Sequence, residues 1–171
     1  MRAGVDPTDL AAILITHHHY DHIGNLGDLL LTAWHGGAAH LPFVGPPGTD
    51  AIVQALLGQV YRREIHFAQA LARTTGLVER EIADVVQVVP IVGAQSLQCG
   101  PWAVTAAAVD HGIGLGLTWK EWPCLAYRLQ AGGRTVVVSG DTAIPSPATT
   151  SSPSHAAPTF SFNVASWPMP T

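Results

Sequence analysis

The sequence predicts a mixed α/β (α+β) domain, and three observations carry that prediction. Apolar runs alternate with helix-period segments between residues 10 and 73, four β-type runs follow between residues 85 and 139, and two glycines punctuate the last pair of them. Hydrophobic residues make up 47% of the 171 and charged residues 12%, enough for a buried core and unlike a disordered polyelectrolyte. The net charge is −4 and no Lys/Arg run occurs, which excludes a polyanion-binding stripe. No stretch approaches the roughly 18–20 apolar residues of a membrane span. Met1 to Asp9 lacks the apolar core of a secretory leader. Cys99 and Cys124 fit neither a disulfide framework nor a C-x-x-C knuckle. A cytoplasmic location is expected.

Taken in order, Leu10 to Thr16 (LAAILIT) is an apolar run of strand length. Gly24 to His35 places Leu26, Leu29, Leu30 and Ala33 at helical spacing, and Gly36-Gly37 stops it. Leu41 to Val44 is a short strand ended by Gly45-Pro46-Pro47-Gly48. Thr49 then caps a helical pattern through about Arg73, with a break at Gly58. Strands are predicted over Val85 to Val92, Trp102 to Val109, Cys124 to Gln130 and Arg134 to Ser139. The last two form a hairpin across Ala131-Gly132-Gly133. From Ile144 to Thr171 there is no Asp, Glu, Lys or Arg, and there are six Pro, six Ser and four Thr. Such a segment supports neither period, so the organisation expected is a folded unit over 1–143 and a disordered tail over 144–171.

The chemistry concentrates after the first strand. Four of the nine histidines lie in Thr16-His17-His18-His19-Tyr20-Asp21-His22, which reduces to His-x-His-x-Asp-His. Residues two apart on an extended strand end point the same way, so His17 and His19 can address one cation. Asp21 and His22 can address a second ion as the chain turns. Imidazole with carboxylate suits Zn²⁺, Fe or Mn better than Mg²⁺ or Ca²⁺. A His-rich turn is also compatible with plain polar surface. Two further residues argue against that: His111 and Asp141 each follow an apolar strand, in VDHG and VVVSGDT. Ligand types at the ends of separate strands are how a metal site is carried on a rigid sheet edge. Asp110 is a candidate partner for His111 or, equally, a structural turn residue. His18 points away and is read as packing or as a support behind the ligands, not as a ligand, and His35, His40 and His66 as surface. Trp119 and Trp122 line either a substrate mouth or a loop packed by its own aromatics.

The runs ILITHHHYDHIGNLGDLLLTAW, FVGPPGT, VDHG and YRLQAGGRTVVVSGDT resemble the metallo-β-lactamase fold superfamily, most closely its ribonuclease Z and arylsulfatase-like branch, over about residues 5 to 143. The resemblance implies part of an αββα sandwich, lacking its N-terminal strands and its C-terminal half, with apolar strand faces left uncovered. It implies a zinc-dependent hydrolase acting on a phosphodiester or related ester, RNA among the candidate substrates. Two Zn²⁺ are expected: the first held by His17, His19 and His111, the second by Asp21 and His22, with Asp141 bridging. Asp21 is the candidate catalytic residue, holding or accepting a proton of the attacking water. The second site lacks one histidine ligand, and His155 is the sole histidine in the tail. Arg62, Arg63, Arg73 and Arg80 are too few and too spread for an RNA-gripping arm. Two alternatives follow from the missing parts: a catalytically inactive truncated remnant binding at most one metal, and a chain that completes its fold as a homodimer.

Overall fold

The structure, a computed structural model, describes residues 5–77, 80–112 and 115–142. The predicted tail over 144–171, with His155, lies outside the described residues. A short 3-10 turn (Pro7–Asp9) leads into β1 (Ile13–Leu14), α1 (Tyr20–Ile23), α2 (Leu26–His35) and β2 (Leu41–Gly45). Then come α3 (Thr49–Ala55), a π-turn (Leu56–Val60), α4 (Arg62–Thr75), α5 (Ile82–Val85) and β3 (Val86–Pro90). The second half is β4 (Gln95–Cys99), β5 (Trp102–Val109), β6 (Cys124–Ala131) and β7 (Arg134–Val138).

Two sheets result, a parallel one in the order β1-β2-β3 and an antiparallel one in the order β4-β5-β6-β7. The parallel sheet lies between the helices and the antiparallel sheet, so its strands are apolar on both faces. Phe43 and Val44 show the alternation: Phe43 packs with Leu30, Ala33, Val53 and Ile65 on the helical side. Val44 packs with Val104, Ala106, Leu125 and Tyr127 between the sheets. LAAILIT reads as a continuous apolar run for the same reason, with Ile15 in the helical cluster and Leu14 against the inter-sheet one.

Several predicted boundaries move. The strand over Leu10 to Thr16 pairs only at Ile13 and Leu14, because its backbone then changes partner. Ile15 N donates to Val44 O at 2.8 Å, and Thr16 O accepts from Leu125 N of β6 at 2.8 Å. The helix predicted from Gly24 begins at Leu26, after the separate turn α1. Thr49 is the first residue of α3 and not its cap; the capping position is Gly48, at φ +96°. The break at Gly58 is a π-turn over Leu56–Val60. The strand predicted over Val85 to Val92 spans Val86–Pro90, because Val85 ends the helical turn α5, and β4 was not predicted at all.

Tyr127 pins the sheets together. It is buried, and its hydroxyl donates to Ile15 O at 2.8 Å with Val44 O at 3.3 Å. Burial pushes its phenol pKa up, so it stays a donor. Tyr127→Phe strands a buried carbonyl, a cost of about 1–3 kcal/mol. Thermal unfolding of that variant should come about 3–10 °C lower; an unchanged midpoint would remove Tyr127 from this role.

At the far edge, all of β7 is exposed, and Val136, Val137 and Val138 are 46%, 48% and 45% accessible. The expected uncovered apolar strand face lies there. Among the described residues no helix is long and apolar enough to cross a membrane.

Candidate metal centre

Four chain segments bring the site together at one end of the two sheets. The first is the stretch after β1, the second the turn α1, the third the end of β5, and the fourth the end of β7. His17 is fully buried where β1 leaves its sheet. Its Nδ1 is 3.1 Å from Thr16 Oγ1, which leaves Nε2 facing inward. His17 Nε2 stands 2.9 Å from His19 Nδ1, and His19 Nδ1 stands 3.3 Å from His111 Nε2. Asp141 Oδ2 lies 3.8 Å from both His17 Nε2 and His111 Nε2. Together His17, His19, His111 and Asp141 offer four ligand atoms that all lie within 4.8 Å of one another.

Ligands about 2.0–2.1 Å from a tetrahedral zinc stand about 3.3–3.4 Å apart. The imidazole separations are close to that, and the donor set of three nitrogens and one carboxylate oxygen fits such an ion. Burial, together with repulsion from His22 and His19 and only partly opposed by Asp141, lowers the pKa of His17 to about 4. The ring is therefore neutral near pH 7 and keeps its inward lone pair.

His22 and Asp21 stand beside this group. His22 Nε2 is 3.5 Å from Asp141 Oδ2 and 3.9 Å from Asp21 Oδ2. The same Asp141 oxygen thus faces His17, His111 and His22, and the ring of His22 lies 4.1 Å from that of His17. Asp21 is the most open of the set, with its side chain 61% accessible. All six residues predicted from the sequence are brought together, in one group of four and one adjacent pair.

The neighbouring histidines and tryptophans divide. His18 bonds Thr49 Oγ1 at 2.9 Å, away from the cluster. His40 and His66 are exposed, and His35 lies 3.7 Å from Glu64. Trp122 lies against His19, ring centroids 4.8 Å apart, and forms a wall of the site. Trp119 instead packs between the sheets, its Nε1 donating to Cys124 O at 2.8 Å. A turn closed by Glu121 accepting from Thr118 N and Oγ1, at 2.9 and 2.7 Å, separates the two. The carbonyl of Asp110 accepts from Thr142 Oγ1 at 3.3 Å, tying the His111 and Asp141 segments together. Sequence reasoning missed Thr16 and Thr49; the signal available was their position flanking the motif and the glycine turn.

Comparison with known proteins shows which family the chain belongs to. A family profile described as the beta-lactamase superfamily domain matches residues 2–157. The chain belongs to that superfamily. Ribonuclease Z of Mycobacterium bovis (strain BCG / Pasteur 1173P2) is 32% identical over 149 residues, covering 81% of this chain and 46% of that protein. Ribonuclease Z of Mycobacterium marinum (strain ATCC BAA-535 / M) is 31% identical over 153 residues, covering 84% and 48%. The chain spans about half the length of the curated relatives it matches. The crystal structure of the metallo-beta-lactamase fold protein YhfI from Bacillus subtilis superposes with a TM-score of 0.51 at 22% identity, covering 84% of this chain and 46% of that one, and shows the shared fold. The superfamily implies a divalent metal, and the cluster of His17, His19, His111 and Asp141 is where this chain gathers donors for one.

Proposed function

We propose that the chain carries the metal site of a zinc-dependent hydrolase acting on a phosphodiester or related ester, in the manner of ribonuclease Z. The observation that carries this reading is the convergence of His17 Nε2, His19 Nδ1, His111 Nε2 and Asp141 Oδ2. In this reading His17, His19 and His111 would hold a first ion and Asp21 and His22 a second, with Asp141 available to both. When bound, such a pair makes water acidic enough to lose a proton near neutral pH and neutralises charge on the ester oxygens. Asp21, the most exposed carboxylate of the set, holds or accepts a proton of the attacking water. Trp122 screens one side of His19 from solvent. Residues 1–143 form the hydrolase unit. The location is cytoplasmic, supported by two cysteines that are both free and buried. RNA is a candidate substrate on the strength of the ribonuclease Z relatives, although a net charge of −4 offers little general attraction for it.

A second reading has its own support. The pair Asp21 and His22 offers fewer donors than the first group, which favours a chain that binds one ion and turns nothing over. Elemental analysis of size-fractionated protein, with turnover assays on bis(p-nitrophenyl) phosphate, an aryl ester and an aryl sulfate, separates the two. The hydrolase reading expects close to two zinc ions per folded chain and cleavage of at least one substrate. One ion and no cleavage of any of the three would leave the remnant reading standing.

A further inference from the structure

His18 stands between two residues of the cluster and takes no part in it. Its side chain points to the opposite side, into the turn Gly45-Pro46-Pro47-Gly48-Thr49 that follows β2. There its Nε2 lies 2.9 Å from Thr49 Oγ1, a contact between residues 31 apart in the chain. The Thr49 hydroxyl donates its one proton to Pro46 O at 2.8 Å. Toward His18 it is therefore an acceptor, and His18 carries its proton on Nε2 and donates.

The slot for this pair is shaped by two glycines. A Cβ at Gly45 would lie 2.4 Å from Thr49 Oγ1, and one at Gly48 would lie 3.4 Å from His18 Cε1. Thr49 itself is fully buried. The backbone around His18 has little other hold on the parallel sheet. The pairing of β1 with β2 ends at Leu14 opposite Val44, followed by the bond from Ile15 N to Val44 O and by the Tyr127 hydroxyl between Ile15 O and Val44 O. The segment carrying His17 and His19 thus leaves the ladder just where its side chains must be held to a few tenths of an ångström for metal binding.

We propose that His18 is a positioning residue, bolting the segment between His17 and His19 to the turn after β2 through the Thr49 hydroxyl and the Pro46 carbonyl. The inference rests on the cluster being a metal site. It says that His18 and Thr49 act as a unit on metal affinity without touching the ion.

The test is metal affinity of the full chain, by Co²⁺ titration followed by visible absorption and by Zn²⁺ competition with a chelator, beside thermal unfolding of each metal-free variant. His18→Ala and Thr49→Val should each weaken binding about 10–100-fold, the range for residues that orient metal ligands. His18→Gln and Thr49→Ser, which keep an N–H donor and a hydroxyl, should bind within about threefold of wild type, well inside that range. The double variant should be no weaker than the worse single one, because the two residues form one contact. Should Thr49→Val not fold, the pair His18→Ala and His18→Gln carries the test. Variants that melt earlier but bind metal as tightly as wild type would overturn the proposal and leave the metal site standing, as would additive losses in the double variant. A wild-type chain that takes up no metal would overturn both.

Discussion

On the proposed hydrolase reading, replacing His19 by alanine is expected to abolish metal-dependent hydrolysis while leaving the fold in place. His19 Nδ1 is the centre of the imidazole group, 2.9 Å from His17 Nε2 and 3.3 Å from His111 Nε2. Without it the group keeps two imidazoles and Asp141, and it loses the nitrogen that stands nearest to both imidazoles. The expected loss in kcat/KM is on the order of a thousandfold or more, about 4 kcal/mol of transition-state stabilisation. Stability should change far less, because the ring is only half-buried and packs against the rings of His17, Trp122 and His111, with centroids 4.7, 4.8 and 4.9 Å away. Contact with an aromatic ring such as Trp122 is worth about 0.5–1.5 kcal/mol. Zinc content, turnover and thermal unfolding are measured together on His19→Ala and on His66→Ala, whose side chain is exposed. His66→Ala should match wild type in all three. Full zinc content and full turnover in His19→Ala would refute the assignment of the site.

The motif was legible because its geometry is local. Residues two apart on a strand end, and one turn further on, meet wherever the strand lies, so His17, His19, Asp21 and His22 needed no knowledge of the fold. His111 and Asp141 were legible for a different reason: each follows a strand whose apolar pattern was unmistakable, and β5 was predicted with the bounds observed, Trp102–Val109. What failed depended on partners far along the chain. β4 is polar and short, with only Leu97 and Cys99 turned toward the inter-sheet core, so its alternation is too brief to announce a strand. β1 was overextended because burial on both faces makes an apolar run of LAAILIT whether or not the backbone stays in one ladder. The split of Trp119 and Trp122 between core and site turns on a Thr118–Glu121 contact that composition does not announce. Thr49 was read as a cap because threonine before an apolar helical pattern ordinarily is one; Gly48 at φ +96° took that position and freed the hydroxyl for His18.

Gly140→Ala should cost both stability and metal, and the reason lies in what the missing Cβ allows. Gly140 sits at φ +59°, the left-handed region, between β7 and Asp141. An L-residue there pays about 1–2 kcal/mol for its backbone alone. The new Cβ would also lie 2.8 Å from Thr16 Cβ and 3.1 Å from Thr16 Oγ1. Thr16 cannot yield freely, because its Oγ1 is 3.1 Å from His17 Nδ1 and its carbonyl accepts from Leu125 N. Relief of the clash must therefore move the segment bearing His17 or the segment bearing Asp141, whose facing atoms are 3.8 Å apart. Gly132→Ala is the control: it is also left-handed, at φ +55°, but nothing lies within 4 Å of its added Cβ. That variant should lose about 1–2 kcal/mol and keep its metal affinity. Gly140→Ala should lose about 2–4 kcal/mol, unfolding roughly 5–15 °C lower, and bind metal at least tenfold more weakly. Equal behaviour of the two variants in melting and in metal titration would mean that the contact between Gly140 and Thr16 does not set the distance between His17 and Asp141.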